Sequence, residues 1–556
     1  MDITLGLDFG THQSKLCMSY MPNNETIYEF VEFPLSDGTK SVLIPSLIQI
    51  NKDDTIRIGS VDRATCAMRP VPPPEKPVFP PRPETVFPEE PDRTLPPKPI
   101  REAPRVRLEA LTGGAEKRNG QQKPSKHAIQ KEKARFRKKM QSWAYECQLI
   151  EAKYYAWERE CLRIAQRLKD WQKEVASIQA KYEEEYAEWE KHQMVYRELR
   201  YFKQAAFTSS ITWDKEEIPA DILSIWYLTY LLLYVRRYVK EKFDEVFEES
   251  VSVQMGVPSG LNDGISRGIR FRGQRFLVAA RHLMESFDSP EKLCTIPYTA
   301  LMEMTKQFDG NVVEEAEQYG FVVIPEAYAG LQSLTYSRRL SRGNMHLLVD
   351  VGGGTTDIAF FTIDEARMPS IHTVSSFTKG LNYVLERFIE EHPMYSMAEA
   401  QARLRTHTKE FHNAIDAYTR ELRKELNYIV DHVTHEFNVE IAGTGFSQAR
   451  LTEAMVGRPI VYCGGGSVFP NIRIGHHYFS DQRLVNKDVL NIPNLQNRGI
   501  DSVMYTILAT SYGLSIPTFE EIKTIDARHL WKMIADNIRS AKPVLNEHKD
   551  YYLSDD

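Results

Sequence analysis

LGLDFGTHQSKL at residues 5–16 and LLVDVGGGTTDI at residues 347–358 decide the fold that we expect for this chain. Each segment is an apolar strand that ends in an aspartate, Asp8 or Asp350, followed by a turn rich in glycine and threonine and then by a second strand. Two such segments far apart in one chain predict a duplicated α/β architecture, in which two similar lobes face each other across a cleft.

The residue types in the two hairpins suggest a chemistry for that cleft. Glycines allow the backbone N–H groups of a turn to approach an anion closely, and Thr11, Thr355 and Thr356 add hydroxyl donors. An aspartate beside a phosphate is repulsive unless a cation lies between them, so Asp8 and Asp350 imply Mg²⁺ held largely through water. Either hairpin alone is explained by an ordinary β-turn. The pair predicts that the two hairpins clamp a polyphosphate from both sides.

A third glycine cluster follows the predicted strand at residues 460–463, in the sequence IVYCGGGSVFP. Three glycines, Gly464, Gly465 and Gly466, followed by Ser467, would let the backbone press against a flat group such as a nucleoside. This signal is weak on its own. The nearby segment 443–445, GTG, is interpreted as a loop because it lacks the rest of a dinucleotide fingerprint.

Composition excludes several classes of protein. The chain has 556 residues, of which 42% are hydrophobic and 26% charged, with a net charge of −6, so it is neither an acidic disordered protein nor a polyanion binder over its whole length. Its six cysteines form no Cys-x-x-Cys pair, which argues against disulfides and zinc ribbons and favours a reducing, cytoplasmic location. The apolar stretch 222–235 is too short to span a bilayer and predicts a buried amphipathic helix; a membrane anchor is the alternative.

Residues 70–126 form a compositionally distinct segment. Residues 70–104 contain 14 of the chain's 30 prolines, which excludes helix and central sheet. We therefore expect an extended or disordered spacer. A docking ligand for a domain with an aromatic groove is the alternative.

A long helical arm is predicted next, over residues 127–203. Apolar residues recur there at spacings of three and four from Phe136 to Trp189, with charged residues on both flanks, which is typical of a coiled coil. Such a seam needs a partner surface. A second copy, another protein and the chain's own globular body all remain open.

Four segments resemble motifs of the actin-like ATPase superfamily: residues 5–11, 347–357, 324–331 (IPEAYAGL) and 462–470. They are similar to its two phosphate motifs, its connecting motif and its adenosine motif, and most of all to the nucleotide-binding domain of the DnaK-like seventy-kilodalton heat-shock chaperones. The resemblance covers about residues 1–69 and 200–530. It implies that lobe I comprises residues 1–69 and 204–345, that lobe II comprises residues 346–530, and that a helix and polar tail occupy residues 531–556. The residues that follow lobe II are too few for the peptide-binding domain that the family carries, so we do not expect that domain here.

The resemblance also implies roles for single residues. Asp8 and Asp350 would hold the water ligands of Mg²⁺, and Asp357 would help to hold the metal or a monovalent cation. Glu326 would position the attacking water, and Lys203 would stabilise the developing charge, although a surface lysine at a helix end is the alternative for Lys203. Thr355 would also act in catalysis. The full set of expected nucleotide contacts is Asp8, Gly10, Thr11, His12, Gly352, Gly353, Gly354, Thr355, Thr356, Gly380, Glu421, Lys424, Gly464, Gly465, Gly466 and Ser467.

The chain also departs from the family's pattern. Glu425 and Val468 stand where the family stacks adenine between arginines, and residues 380–382 (GLN) replace a Gly-Gly-Glu-Asp stretch, which puts adenine selectivity in doubt. We expect a Mg²⁺-dependent, ATP-hydrolysing switch that engages a protein partner, or itself, through the arm, with a nucleotide-exchange or co-chaperone-like protein as a further partner. An actin-like filament and a non-hydrolysing scaffold stabilised by nucleotide are the alternatives. A membrane partner is not expected, and nucleic-acid binding has little support.

Overall fold

The computed structural model has a mixed α/β fold with one very long helix. It describes the chain apart from residues 35–38, 71–72, 102–125, 192, 208–217, 259–262, 335–339, 341–343, 364–368, 393–394, 396–398, 401–402, 405–407, 443–454, 456, 470, 473, 476–478, 486–491, 501 and 518–556. The predicted C-terminal helix and tail at 531–556 and the GTG loop at 443–445 therefore lie outside the described residues. The chain divides into two units: residues 1–68 together with 196–556, and residues 69–195.

The described strands and helices are numbered in chain order. The strands are β1 (Ile3–Asp8), β2 (Gln13–Tyr20), β3 (Ile27–Phe30), β4 (Phe33–Pro34), β5 (Lys40–Ser41), β6 (Ile44–Pro45), β7 (Leu47–Ile50), β8 (Ile56–Ile58), β9 (Met68–Pro70), β10 (Met194–Tyr196), β11 (Glu198–Arg200), β12 (Val251–Val257), β13 (Phe321–Pro325), β14 (His346–Val351), β15 (Thr356–Ile363), β16 (Pro369–Phe377), β17 (Arg458–Cys463) and β18 (Phe479–Val485). The helices are α1 (Lys126–Lys191), α2 (Phe202–Phe207), α3 (Ala220–Phe243), α4 (Phe247–Ser250), α5 (Asp263–Glu285), α6 (Pro290–Cys294), α7 (Tyr298–Lys306), α8 (Val312–Gln318), α9 (Glu326–Gln332), α10 (Leu381–Glu391), α11 (Lys409–Ala414), α12 (Asp416–Ala442) and α13 (Ser502–Ser515).

Two sheets of the larger unit have the same pattern of strands. In the first sheet the order is β13-β12-β1-β2-β3, and in the second it is β18-β17-β14-β15-β16. In each sheet the last three strands of that order form an antiparallel meander, and the first two continue the sheet in parallel. Asp8 ends β1, and Asp350 is the penultimate residue of β14, so the two aspartates occupy similar places in the two sheets.

Helices cover the sheets, which explains why the central strands are apolar on both faces. Leu5 and Leu7 of β1 are fully buried, as are Leu347 and Val349 of β14. Helix α13 passes so close to β1 that a Cβ on Gly6 would lie 2.3 Å from the Ser511 carbonyl oxygen. Only glycine allows this approach of helix to strand.

The apolar stretch 222–235 lies in helix α3. It is buried, as predicted, but on nearly every side, so the expectation of an amphipathic helix was wrong for this stretch. Trp226 at its centre is fully buried and donates a hydrogen bond from Nε1 to Thr305 Oγ1 at 2.9 Å. None of the described helices combines the length and the apolar character that a membrane span requires.

The smaller unit contains helix α1, which is 66 residues long and would extend about 99 Å. The predicted long helix is therefore confirmed, but it ends at Lys191 and not near 203. The heptad pattern already weakens there, because Glu185 and His192 occupy seam positions. The chain then forms β10 and β11, so Lys203 lies in a separate helix, α2.

The proline-rich segment covers the apolar seam of α1, an arrangement that none of the three expected partners anticipated. Three indole Nε1 groups donate hydrogen bonds to carbonyl oxygens of this segment: Trp143 to Pro96 at 2.7 Å, Trp157 to Pro88 at 2.8 Å and Trp171 to Pro80 at 2.9 Å. The Arg93 guanidinium stacks 3.3 Å from the centre of the Tyr154 ring. The described part of the segment thus runs antiparallel to the helix.

Candidate functional site

The two aspartate hairpins lie against each other at one cleft of the larger unit. A Cβ on Gly353 would lie 2.7 Å from His12 Nδ1, and a Cβ on Gly354 would lie 3.1 Å from Thr11 Cγ2. The glycines of the second turn are therefore required, because side chains of the first turn fill the space beside them. The tips of the two hairpins therefore lie close together.

The register of each hairpin determines which charged groups face each other across it. In the first hairpin Asp8 is paired directly with Lys15, and Lys15 Nζ donates a hydrogen bond to Asp8 Oδ2 at 2.8 Å. In the second hairpin the equivalent pair is Asp350 and Asp357, which have the same charge. The two halves of the site thus differ in their ionisable groups, with the excess of carboxyl groups in the second hairpin.

Helix α2 inserts two polar side chains into the site. Lys203 is 3% exposed and forms an ion pair with Glu326, the first residue of α9. Gln204 donates a hydrogen bond from Nε2 to the carbonyl oxygen of Gly354 at 3.3 Å. Lys203 is therefore not a surface lysine, and it meets Glu326, to which the resemblance gives the role of positioning the attacking water.

The carboxylates of the second hairpin hold their protons unusually strongly. Burial, followed by the nearby charges of Asp357, Glu326 and Asp8, raises the pKa of Asp350 to about 8. Burial, followed by the charge of Glu326, raises the pKa of Asp357 to about 7. Four carboxylates and two lysines meet here, so the site carries an excess of acid that a cation would relieve.

The residues present fit a hydrated divalent cation better than a directly coordinated one. Asp357 Oδ1 is buried and has no hydrogen-bond partner among the described residues. Over the same residues, no group of three or more His, Cys, Asp or Glu side chains has the geometry to hold a metal ion directly. The hard carboxylate oxygens suit Mg²⁺, which retains several of its waters in protein sites. Asp8, Asp350 and Asp357 would therefore hold the cation through water.

The third glycine cluster packs onto the second hairpin. Gly464 has a φ of +74°, and a Cβ there would lie 2.2 Å from Asp350 Oδ1. A Cβ on Gly466 would lie 2.3 Å from Val351 Cγ1, and the buried Ser467 donates its hydroxyl to the Gly464 carbonyl oxygen at 2.7 Å. Gly464 and Gly465 line the cleft, whereas Gly466 and Ser467 hold the turn in place.

Most of the predicted site residues lie together. Those that line the cleft are Asp8, Gly10, Thr11, His12, Lys203, Glu326, Asp350, Gly352, Gly353, Thr355, Asp357, Gly464 and Gly465. Since these come from segments spread along the whole chain, their convergence is a strong geometric result.

Besides Gly466 and Ser467, five predicted residues are not among the described residues that line this cleft. Gly354 contributes its carbonyl oxygen to Gln204, and the fully buried Thr356 donates its hydroxyl to the Lys379 carbonyl oxygen at 2.7 Å. A Cβ on Gly380 would lie 2.6 Å from the Gly352 carbonyl oxygen, so this glycine supports the turn from behind. Glu421 and Lys424 lie on α12, where Glu421 pairs with Arg387.

Several cleft residues were missed by sequence reasoning. Lys15 could have been found, because its place opposite Asp8 follows from the two-residue period of a hairpin. Gln13 lies in the same hairpin, and Arg200 and Leu381 lie close in sequence to the predicted Lys203 and Gly380. The other missed residues come from separate elements and have no sequence signal: Leu43, Leu404, Met504, Ile507 and Thr510.

Comparison with known proteins gives no assignment. No protein-family model matches the chain, and no curated protein matches it.

Proposed function

We propose that the protein binds Mg²⁺·ATP between its two aspartate hairpins and hydrolyses it slowly, as a nucleotide-controlled switch with an actin-like, two-lobed fold. The observation that carries the proposal is the convergence of both hairpins, Lys203 and Glu326 on one cleft. The common strand pattern of the two sheets supports a duplicated architecture. Glycine turns that meet tip to tip suit a chain of phosphates, because they bring backbone donors towards it from two sides.

Each half of the cleft would make a different contribution to binding. The first turn, with Gly10 and Thr11, offers backbone and hydroxyl donors to the phosphates, and the second turn does the same through Gly353 and Thr355. The cation, when bound, offsets the negative charge of the phosphates. The buried carboxylates Asp350 and Asp357 would lose their protons and orient its water ligands.

Lys203 and Glu326 would act on the hydrolytic water. The glutamate carboxylate accepts a hydrogen bond from the water and orients it in line with the terminal phosphate. The lysine ammonium stabilises the negative charge that develops on the transferred group, and its burial increases this effect because water screens it poorly. The ion pair holds the two side chains ready for these roles without requiring a large rearrangement.

The test is single-turnover hydrolysis together with a separate measurement of ATP binding. Lys203→Ala should reduce the rate of hydrolysis at least a hundredfold and weaken ATP binding less than tenfold. Lys306→Ala, which removes a half-exposed lysine paired with Glu303, is the matched control and should behave as wild type. Wild-type hydrolysis that continues unchanged in Lys203→Ala would contradict this role.

A non-hydrolysing scaffold stabilised by nucleotide is the second candidate. One observation favours it: the Lys379 ammonium and the Glu425 carboxylate form an ion pair at 2.7 Å, close to where the family stacks adenine between arginines. Wild-type protein that binds Mg²⁺·ATP but shows no turnover would support this candidate. A filament would instead be indicated by ATP-dependent pelleting that persists when residues 71–193 are replaced by a short linker.

The switch would act on a partner through the arm. The proline-rich segment already covers the apolar seam of α1, so a partner would have to engage another face of the helix. Replacing residues 71–193 by a short linker, which leaves β11 and Arg200 in place, should leave ATP binding intact and abolish partner capture. Loss of ATP binding would mean that the arm has a structural role.

A further inference from the structure

Two sequence repeats of different length match each other in the smaller unit. The bonded tryptophans Trp143, Trp157 and Trp171 are 14 residues apart, whereas the carbonyl groups that they bind belong to prolines 8 residues apart. The proline-rich segment repeats accordingly, as VFP at 78–80, VFP at 86–88 and TLP at 94–96. Fourteen helical residues rise about 21 Å, and eight residues of polyproline II helix extend about 25 Å, so the segment must wind around α1 to stay in register.

Because the proline-rich segment covers the seam of α1, the side of the helix opposite the seam is the one left exposed. The residues at the 3,4 spacing of the seam are at least partly buried from Phe136 to Tyr182, so the heptad frame holds along the helix, with Glu185 as its break. Tyr155 and Leu162, one heptad apart, are 58% and 65% exposed on the side away from the seam. In the same frame, this outer face also carries Lys131, Lys138, Glu183 and Glu190.

Charge is segregated along the same helix. Residues 126–139 contain seven Lys or Arg and one acidic residue, whereas residues 183–190 contain five glutamates and no Lys or Arg. The first turn of α1 has no acidic residue. This distribution opposes the helix dipole, which favours acids at the N-terminus and bases at the C-terminus. Helix stability therefore does not explain it, and a partner of complementary charge does.

We propose that the arm binds the arm of a second copy of this chain, antiparallel, through this outer face. If Tyr155 of one copy lies opposite Leu162 of the other, the two-fold axis lies between residues 158 and 159. In that register residues 126–139 of each helix face residues 178–191 of the other. The basic end then meets the acidic end twice, and the exposed apolar pair meets itself at the centre, as an isologous interface requires.

The position of these features favours a second copy over a polyanion. The basic third alone would fit a nucleic acid, but a nucleic acid would be repelled by the acidic end and would leave Tyr155 and Leu162 uncovered. In a single antiparallel register, a second copy places a complementary surface opposite the basic end, the acidic end and the exposed pair Tyr155 and Leu162. The proposal concerns the smaller unit alone and does not depend on nucleotide binding in the larger one.

The experiment measures self-association of the full chain by analytical ultracentrifugation. Wild type should dimerise, and the dimer should weaken at least tenfold between 50 and 500 mM NaCl, because exposed charge pairs are screened. The variant K131E/K138E and the variant E183K/E190K should each dimerise at least tenfold more weakly. An equimolar mixture of the two variants should recover the wild-type affinity, because each altered end then faces an altered end of opposite charge.

Controls separate this result from misfolding and from nucleic-acid binding. Of the four exchanged positions only Glu190 lies in a terminal turn of α1, and lysine there favours the helix dipole, so helicity by circular dichroism should not fall in either variant. Lys153→Glu reverses an exposed charge on a different face and should not affect dimerisation. A monomeric wild type, or a mixture that fails to recover affinity, would overturn the proposal. So would a wild type that stays monomeric and binds duplex DNA through Lys131 and Lys138.

Discussion

Replacing Asp357 by asparagine should make the protein more stable without ligand and less able to use Mg²⁺. Asp357 faces Asp350 across the second hairpin, and burial followed by the charge of Glu326 raises its pKa to about 7. In the unfolded chain the same carboxyl has a pKa of about 3.9. The folded protein therefore retains this proton to a higher pH than the unfolded chain does. The contribution of this group to stability is complete below about pH 4 and is lost as the pH rises to about 7.

The size of the effect follows from that difference. A pKa near 7, compared with the ordinary 3.8, corresponds to about 4 kcal/mol of unfavourable free energy at pH 8. The asparagine amide still has to be buried, so we expect a net gain of about 2–3 kcal/mol in the free energy of unfolding for Asp357→Asn at pH 8. The gain should shrink at pH 5, where the wild-type carboxyl is largely protonated.

The assay is calorimetric unfolding at pH 8 and pH 5 without metal or nucleotide, followed by the same measurement with Mg²⁺·ATP. Asp309→Asn, an exposed aspartate in the turn after α7, is the control and should change stability at neither pH. With Mg²⁺·ATP the wild type should gain more stability than Asp357→Asn. A variant that is less stable than wild type at pH 8 without ligand would refute the reasoning, since it would mean that the Asp357 carboxylate is favourably paired.

Three further outcomes follow from the same structure. Gly464→Ala should cost about 2–5 kcal/mol and weaken ATP binding, because its Cβ would meet Asp350 and its φ is +74°. Gly457→Ala has a φ of +73°, and among the described residues beyond its chain neighbours nothing lies within 4 Å of an added Cβ, so it should cost only about 1–2 kcal/mol by calorimetry. Trp157→Phe removes the hydrogen bond to Pro88, worth about 1 kcal/mol, so limited proteolysis within residues 84–92 should become about fivefold faster than in the wild type. Tyr145→Phe should have no effect. Equal rates of proteolysis in the wild type and Trp157→Phe would contradict the pairing. The affinity for Mg²⁺ at fixed ATP should fall between pH 8 and pH 6 by up to tenfold per pH unit for each proton that must leave, and so by up to about a hundredfold per unit near pH 6, where both Asp350 and Asp357 are protonated; a flat titration would contradict a metal role for both.

The part of the site that sequence predicted well is the part fixed by local chemistry. Turn glycines and strand-ending aspartates can be recognised within a single short segment of sequence. This is why Asp8, Asp350 and Gly353 could be predicted as residues of the cleft. Glu421 and Lys424 failed to reach the cleft lining because their positions depend on how a 27-residue helix, α12, is turned about its axis. That rotation is set by packing against other elements.

The arm shows a different limit of sequence reasoning. The heptad seam correctly predicted a long helix, but periodicity in one element does not reveal what covers it. The eight-residue repeat of the proline-rich segment was the available signal, because a segment with a regular repeat can pair with a helix whose seam also repeats regularly. The helix end was misplaced because the break of the seam at Glu185 and His192 was given too little weight, and because the pairing of β11 with β7 has no signal within the arm.

The most direct test of the account is calorimetric titration of the purified full chain with ATP in the presence and absence of Mg²⁺. We predict saturable binding of one ATP per chain that requires Mg²⁺ and is weakened at least tenfold in Asp350→Asn. Absence of binding, or binding that is unaffected by both Mg²⁺ and Asp350→Asn, would contradict the claim that the two hairpins hold a magnesium-bound triphosphate.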